Sequence, residues 1–207
     1  MFKTKKTVII TGGAGTIGSA LAVDLIKNGY KVLLGDINNS KLFKIKKKLN
    51  SKNLEIFQGD LTNKNNIDRF IKYGVKKFKN IYGAVHCSYP KSKKWGTKFE
   101  NLEETYLNKD LQKQLGGSII FSQRIMKHFL KQKEGNLVLI SSIQGVQPPK
   151  FDHYKNLNMT SPIEYSAIKS GIISITKYLS KYYKNKNIRV NCVSPGGIKA
   201  NQPKLFI

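Results

Sequence analysis

Acidic residues are scarce in this chain: 12 aspartates and glutamates stand against 37 lysines and arginines in 207 residues, a formal charge of +25. So strong a basic excess raises the question of a nucleic-acid function, because polyphosphate backbones attract such a field. Arginine, however, occurs only at positions 69, 124 and 189. Lysine is the poorer residue for bidentate recognition of phosphates or base edges. The lysines are also spread along the chain, with short runs at Lys46–Lys48 and Lys76–Lys77. We therefore expect loose attraction to polyanions and no specific nucleic-acid partner. The same field favours anionic small substrates such as sugar phosphates or nucleotide sugars.

Cysteine is nearly absent too. Cys87 and Cys192 are far apart and form neither a CxxC nor a metal-ligand spacing, so both read as reduced thiols and no metal site is expected. Long apolar runs are missing: none approaches the roughly 20 residues that cross a bilayer. The start, Met1 to Lys6, passes straight into Val8-Ile9-Ile10, too short an apolar run for a secretory signal. These absences point to a cytoplasmic protein with no membrane partner. An apolar content of 40% and an aromatic content of 10% are those of a globular chain. The length suits a single domain spanning 1–207.

What is present begins with a short β-branched run, Lys6 to Thr11, that reads as a buried parallel strand. Thr11-Gly12-Gly13-Ala14-Gly15-Thr16-Ile17-Gly18 follows, and then a helical pattern through Leu21, Leu25 and Ile26 to a stop at Asn28-Gly29. Strand, glycine turn and helix start are the context in which glycines bind a dinucleotide. Gly12 allows the tight turn and Gly15 lets backbone amides approach a pyrophosphate. Gly18 allows close helix–strand packing, and the helix N-terminus favours the anion.

The second strand, Tyr30 to Asp36, ends on an acid 18 residues after Gly18. A carboxylate there accepts hydrogen bonds from the ribose hydroxyls and repels a 2′-phosphate, and Ile37 offers no arginine to hold one. The expected cofactor is NAD in preference to NADP, with Lys41 and Lys44 as cations close after Asp36 in sequence. A lysine-rich helix over 40–50 leads to a strand over 54–57 and to Asp60-Leu61. A helix over 63–79 precedes a strand over 81–86. An irregular loop with Pro90 and Trp95 covers 88–101, and a helical region over 102–132 carries a break at Gly116-Gly117. Strands over 136–140 and 188–193 flank a stretch, 143–162, with three prolines and no clear periodicity; a loop of that length is usually functional. Helix–strand alternation at this interval predicts an α/β fold, a Rossmann-like doubly wound parallel sheet of six strands.

Tyr165-Ser166-Ala167-Ile168-Lys169 lies between the last two strands. On a helix a tyrosine and a lysine four apart share one face. An ammonium near a phenol favours the phenolate, lowering a pKa that is otherwise about 10, which suits general acid–base work. Alone such a pair is a weak signal, since it is common on solvated helix faces.

Taken together these residues resemble the short-chain dehydrogenase/reductase family over essentially the whole chain. The family places an Asp after the second strand (Asp36), an Asp-Leu after the third (Asp60-Leu61), a Ser at the end of the fifth (Ser142), Tyr-xxx-Lys on the next helix (Tyr165, Lys169) and Pro-Gly after the sixth (Pro195-Gly196). The resemblance implies an NAD(P)-dependent oxidoreductase interconverting a hydroxyl and a ketone. In it Tyr165 exchanges the proton, Lys169 lowers the Tyr pKa and binds the nicotinamide ribose, and Ser142 hydrogen-bonds the substrate oxygen. Cofactor contacts are implied at Gly12, Gly15, Thr16, Ile17, Gly18, Asp36, Asp60, Leu61, Tyr165, Lys169, Pro195, Gly196 and Ile198. A homo-oligomer is implied, formed through the helices before strand five and carrying Tyr165.

Several positions depart from the family pattern. The glycines read TGxxGxxG, the spacing of its extended branch, while the rest resembles the classical branch. Asn-Asn-Ala-Gly after the fourth strand is His86-Cys87-Ser88-Tyr89-Pro90, and Gln114 aligns with the asparagine of the catalytic tetrad. The serine-to-tyrosine interval is lengthened by 143–162, and Ala200 stands where a cofactor-contacting threonine is usual. Tyr89-Pro90, the insertion and Ser194-Pro195-Gly196-Gly197-Ile198 with Asn201-Gln202-Pro203 are similar to members from bacterial flagellin-glycosylation and nonulosonic-acid gene clusters. These imply a polar, sugar-like substrate, with His153 and Tyr154 of the insertion as candidate contacts, whereas His128 reads as structural. The family's seventh strand and last helix have no counterpart before Ile207, so a C-terminally shortened chain is expected, and the alternative function is a weak or inactive dinucleotide-binding remnant.

Overall fold

The structure, a computed structural model, describes residues 6–155 and 160–198. Strands β1 (Thr7–Thr11), β2 (Lys31–Asp36), β3 (Leu54–Gln58), β4 (Gly83–His86), β5 (Gly135–Ile140) and β6 (Ile188–Val193) form one sheet in the order β3-β2-β1-β4-β5-β6. Every pairing is parallel. This is the doubly wound sheet expected from the alternation of elements.

Helices cover both faces. Helices α1 (Thr16–Lys27) and α2 (Asn39–Leu49) bury Ala22 and Leu42 against Val8, Ile10, Val32 and Leu34 on one side. On the other side α3 (Lys64–Phe78), α5 (Gly117–Gln132) and α6 (Ile163–Tyr182) pack Phe70, Phe121, Phe129 and Ile168 against Ile9, Leu33 and Leu137. Because alternate residues of a strand point to opposite faces, Ile9 and Ile10 serve different cores. A bidentate pair from Arg124 to Asp68, at 2.6 and 2.9 Å, fastens α5 to α3. Asn38 caps α2 by accepting the Lys41 N–H, and Asn63 caps α3 by accepting those of Asn65 and Asn66.

The registers align the carboxyl ends of the strands. Thr11 lies beside both Gly35 and His86, His86 beside Leu139, and Ile140 beside Val193. The strand order reverses between β1 and β4, and in open α/β sheets the crevice at that reversal is where ligands bind.

The helical region expected over 102–132 differs in its middle. Helix α4 (Glu104–Asp110) runs into a π-helical turn, Leu111–Gly116, and then into α5 without a gap. Gly116-Gly117 marks the end of the π turn and not a break. The wider turn accommodates an extra residue without ending the helix. The 143–162 stretch contains short 3-10 turns at Ile143–Gly145 and Phe151–Tyr154.

Candidate active site

The glycine turn is built by close approaches that side chains would block. Gly12 has φ +64°, and a Cβ there would come within 2.6 Å of the Cys87 carbonyl group. At Gly18 a Cβ would lie 2.4 Å from the Gly12 carbonyl oxygen, so α1 sits hard against the turn. The first amides of α1 have no partner within the helix, and Ile17 of this first turn lines the crevice.

Two cavities run from this turn. One, about 330 Å³, is lined by Gly12, Gly15, Asp36, Asp60, Leu61 and Lys113. The other, about 370 Å³, is lined by Ile17, Gln114, Ser142, Tyr165, Lys169 and the Pro195–Ile198 segment. Cys87, Ser88 and Tyr89 line both, so the two form one trough from the β2 end to Tyr165. Glycines packed too closely for side chains, amides at a helix start and a carboxylate at the far end fit a dinucleotide. Ala200 and Asn201-Gln202-Pro203 lie outside the described residues.

Asp36 closes one end of the trough. Its Oδ2 accepts the Ala14 N–H at 3.0 Å and its Oδ1 the Asn38 N–H at 2.9 Å, which fixes the carboxylate beside the turn. Asp60 accepts from the Thr62 N–H and hydroxyl at 3.0 and 2.7 Å, with the Lys113 ammonium 3.6 Å away. Burial pushes the Asp60 carboxyl up, but the Thr62 hydrogen bonds and Lys113 outweigh it and hold the group below its ordinary value. Leu61 is turned into the core beneath Gly35.

At the other end α6 delivers Tyr165 and Lys169 from one face. The Lys169 ammonium donates to the Ile140 carbonyl at 2.9 Å and sits 5.5 Å from the centre of the Tyr165 ring. Burial holds this lysine down to about 8, with Cys87 opposing slightly. Two contacts set α6 at this distance from β5. Ser141 Oγ donates to the Lys169 carbonyl at 2.7 Å, and a Cβ at Gly145 would meet that carbonyl carbon at 2.7 Å. Ser142 is buried, and its Oγ accepts the Gln144 N–H at 3.2 Å, which leaves its hydroxyl proton for another acceptor.

Gln114 enters from the π turn. Its Nε2 donates to the Pro90 carbonyl at 2.7 Å, while its Oε1 is buried without a hydrogen-bond partner. The turn reaches α6 because residue 171 is glycine: a Cβ there would be 2.7 Å from Leu115. Ser142, Tyr165, Lys169 and Gln114 therefore share one cavity wall. His153 and Tyr154 occupy the 3-10 turn of the insertion and are not among the residues that line either part of the trough.

Other residues at the site were given no catalytic or binding role by sequence reasoning. Tyr89 and Trp95 meet the Tyr165 ring edge-on, at 5.8 and 6.1 Å between centres, and meet each other at 5.5 Å. Asp110 holds the loop that carries them, accepting the Ser92 N–H and hydroxyl at 2.7 and 2.6 Å. The signal available was a pair of aromatics in an irregular loop. His86 is buried, hydrogen-bonded through Nδ1 to the Thr11 hydroxyl at 2.8 Å and stacked on Phe121 at 4.7 Å. Burial and then the Lys169 charge bring His86 down to about 3, so it is neutral. Burial raises the Cys87 thiol to about 12, which makes it inert as a nucleophile. Among the described residues no cluster of His, Cys, Asp or Glu suits a metal ion, and no helix is long and apolar enough to cross a membrane.

The profile of the short chain dehydrogenase family matches residues 6–204. "Post-translational flagellin modification protein A" of Campylobacter coli is 39% identical over 98% of this chain and 80% of its own length. A short chain dehydrogenase from Leptospira borgpetersenii with bound NAD+ superposes with a TM-score of 0.82 at 30% identity, covering 99% of this chain and 76% of that one. ElxO with NADP bound gives 0.81 at 28% identity, covering 95% and 75%. A glycine turn at the switch point, a trough shaped for a dinucleotide and a family match across nearly all of its length make this chain a member of the short-chain dehydrogenase/reductase family, an NAD(P)-dependent oxidoreductase.

Proposed function

We propose that the protein interconverts a hydroxyl and a ketone on a polar, sugar-like small molecule, using NAD in preference to NADP. The observation that carries this reading is the shared cavity wall formed by Ser142, Tyr165 and Lys169. The bound nicotinamide supplies the hydride donor or acceptor. In the reducing direction the Tyr165 hydroxyl gives its proton to the carbonyl oxygen; in the oxidising direction the phenolate takes the proton of the substrate hydroxyl. Ser142 donates its free hydroxyl proton to the same substrate oxygen and holds it in line with Tyr165. The Lys169 ammonium stabilises the negative charge that develops on the phenolate. One of its three N–H groups is held by Ile140, and the other two are left for ribose hydroxyls. Gln114 Oε1, buried and unpartnered on this wall, supports a role in accepting a proton-relay water beside Lys169.

Asp36 supports NAD, because a fixed carboxylate at the β2 end repels a 2′-phosphate. The Campylobacter relative, named for post-translational flagellin modification, supports a polar substrate of the kind used in modifying proteins. For assembly, α5 and α6 expose Ile119, Tyr178 and Tyr182 around one groove, which favours pairing with a second copy.

Titrating the protein with NADH and with NADPH, followed by fluorescence and thermal stability, tests the reading. Micromolar NADH binding with weaker NADPH binding is expected, and Tyr165→Phe lowers turnover by roughly 100-fold or more with cofactor affinity retained. Binding of neither cofactor overturns it and leaves a remnant of the fold.

A further inference from the structure

We propose that a cleft next to the catalytic cavity is a second substrate subsite, which takes an apolar, aliphatic or aromatic portion of an extended substrate. This rests on the oxidoreductase reading above. The cleft holds about 740 Å³, within the range of small-molecule sites. The catalytic cavity holds about 370 Å³, and Ile17, Pro195, Gly196 and Ile198, which the family resemblance gives to the cofactor, form part of its wall. Little room remains there for more than the reacting end of a substrate.

Gln144 joins the two spaces, since it lines both. Its N–H is bonded to Ser142 Oγ, and its Oε1 accepts from the hydroxyl of Ser161, a residue of the cleft. The amide thus spans from the catalytic serine to the wall of the second space. That wall is preformed. Gly145 lies too close to the Lys169 carbonyl to carry a side chain, and Ser170 of α6 donates to the Gly145 carbonyl at 2.8 Å.

The surface of the cleft states what it accepts. Phe99, Val146, Phe151 and Ile163 are 70, 68, 59 and 50% exposed, and Pro148 and Pro162 complete the apolar face. Apolar side chains gathered in one concavity mark a ligand groove, whereas single ones carry no meaning. The charged residues among its lining, Lys98 and Glu100, are of opposite sign, so a phosphate finds no net cation despite the chain's basic character. The insertion supplies Val146, Pro148, Phe151 and Pro162, which gives it a physical use: it builds a binding surface beside the catalytic serine.

The probes are two ketones with the same reacting end, 2-butanone and 4-phenyl-2-butanone. Both are presented to protein saturated with NADH or NADPH, with kcat/KM followed by absorbance and Kd by saturation-transfer NMR. The phenyl ketone is expected to be favoured by about tenfold or more, as burial of a ring requires. The double variant Val146→Ser/Phe151→Ser, and Phe99→Ser on the opposite wall, are each expected to reduce that ratio several-fold. All three positions are exposed, and thermal melts report whether the variants fold. Equal affinities, a ratio that survives all three substitutions, or no detectable binding of the phenyl ketone overturns the subsite. So does a dimer that the double variant dissociates in sedimentation, because a second copy then covers the cleft. Loss of cofactor binding, by contrast, refutes the oxidoreductase reading itself.

Discussion

Replacing Lys169 by methionine should make the protein more stable and less active. Lys169 as a residue is 7% exposed, and burial brings its pKa from 10.5 to about 8. A shift of that size corresponds to a cost of about 3 kcal/mol for keeping the charge in the folded state at neutral pH. Methionine fills a similar volume without the charge. Losing the hydrogen bond to the Ile140 carbonyl returns about 1–3 kcal/mol of that gain. The variant should therefore equal or exceed the parent by up to about 2 kcal/mol at pH 7, or several degrees in Tm for a chain of this size. The pH dependence is the sharper reading. Between about pH 8 and 10.5 the unfolded lysine keeps a proton that the folded one has released, so the parent gains stability as pH rises through that window. Methionine has no such gain, and other groups cancel in the difference. Urea unfolding of both proteins at pH 7, 8, 9 and 10.5 should show the variant's advantage shrinking by about 3 kcal/mol. A difference that stays flat with pH, or a variant weaker than the parent by more than about 2 kcal/mol at pH 7, would refute the claim that this charge is held at a cost.

Acid should act through His86. The folded histidine stays neutral down to about pH 3, while the unfolded one takes a proton near 6.5, so stability falls as pH drops through that interval, by about 2 kcal/mol at pH 5. His86→Asn should remove that slope in urea melts compared at pH 5 and 7. Gly145→Ala puts a methyl group against the Lys169 carbonyl carbon and should cost about 1–3 kcal/mol in thermal or urea unfolding, with a fall in kcat as α6 shifts. Asp36→Ser combined with Ile37→Arg should reverse the cofactor preference measured by NADH and NADPH titration, because it exchanges a carboxylate for a phosphate-binding guanidinium.

The sheet was legible because its signals are local. β1 and β6 are β-branched runs bounded by turn residues, and their predicted and observed limits agree within a residue. The strand predicted over 81–86 begins at Gly83, since Tyr82 N–H bonds to Thr7 O just before the ladder starts. The π turn at Leu111–Gly116 was not legible. Its sequence, Leu-Gln-Lys-Gln-Leu-Gly, has no feature that separates a five-residue from a four-residue backbone bond. Packing selects it, with Leu115 seated over Gly171 of a helix more than 50 residues away.

The site divides along the same line. Spacing alone put Tyr165 and Lys169 on one helix face, and the glycine turn announced its own close approaches. Whether these groups meet Ser142 and Gln114 depends on contacts such as Ser141 to the Lys169 carbonyl, which no local pattern encodes. Once the chain is folded, a different signal appears. Three buried side-chain atoms among the described residues lack a hydrogen-bond partner. Asn136 Oδ1 lies at the amino end of β5, away from the trough. The other two, Gln114 Oε1 and Glu164 Oε2, belong to a wall residue of the cavity that Tyr165 lines and to the neighbour of Tyr165. Burial, opposed by a bond to its own backbone and aided by the Asp110 charge, raises Glu164 above its ordinary value. Together with Lys169 these are desolvated polar groups gathered where the π turn meets α6. A packed sheet of fully buried residues behind them supplies the stability that lets such desolvated polar groups persist.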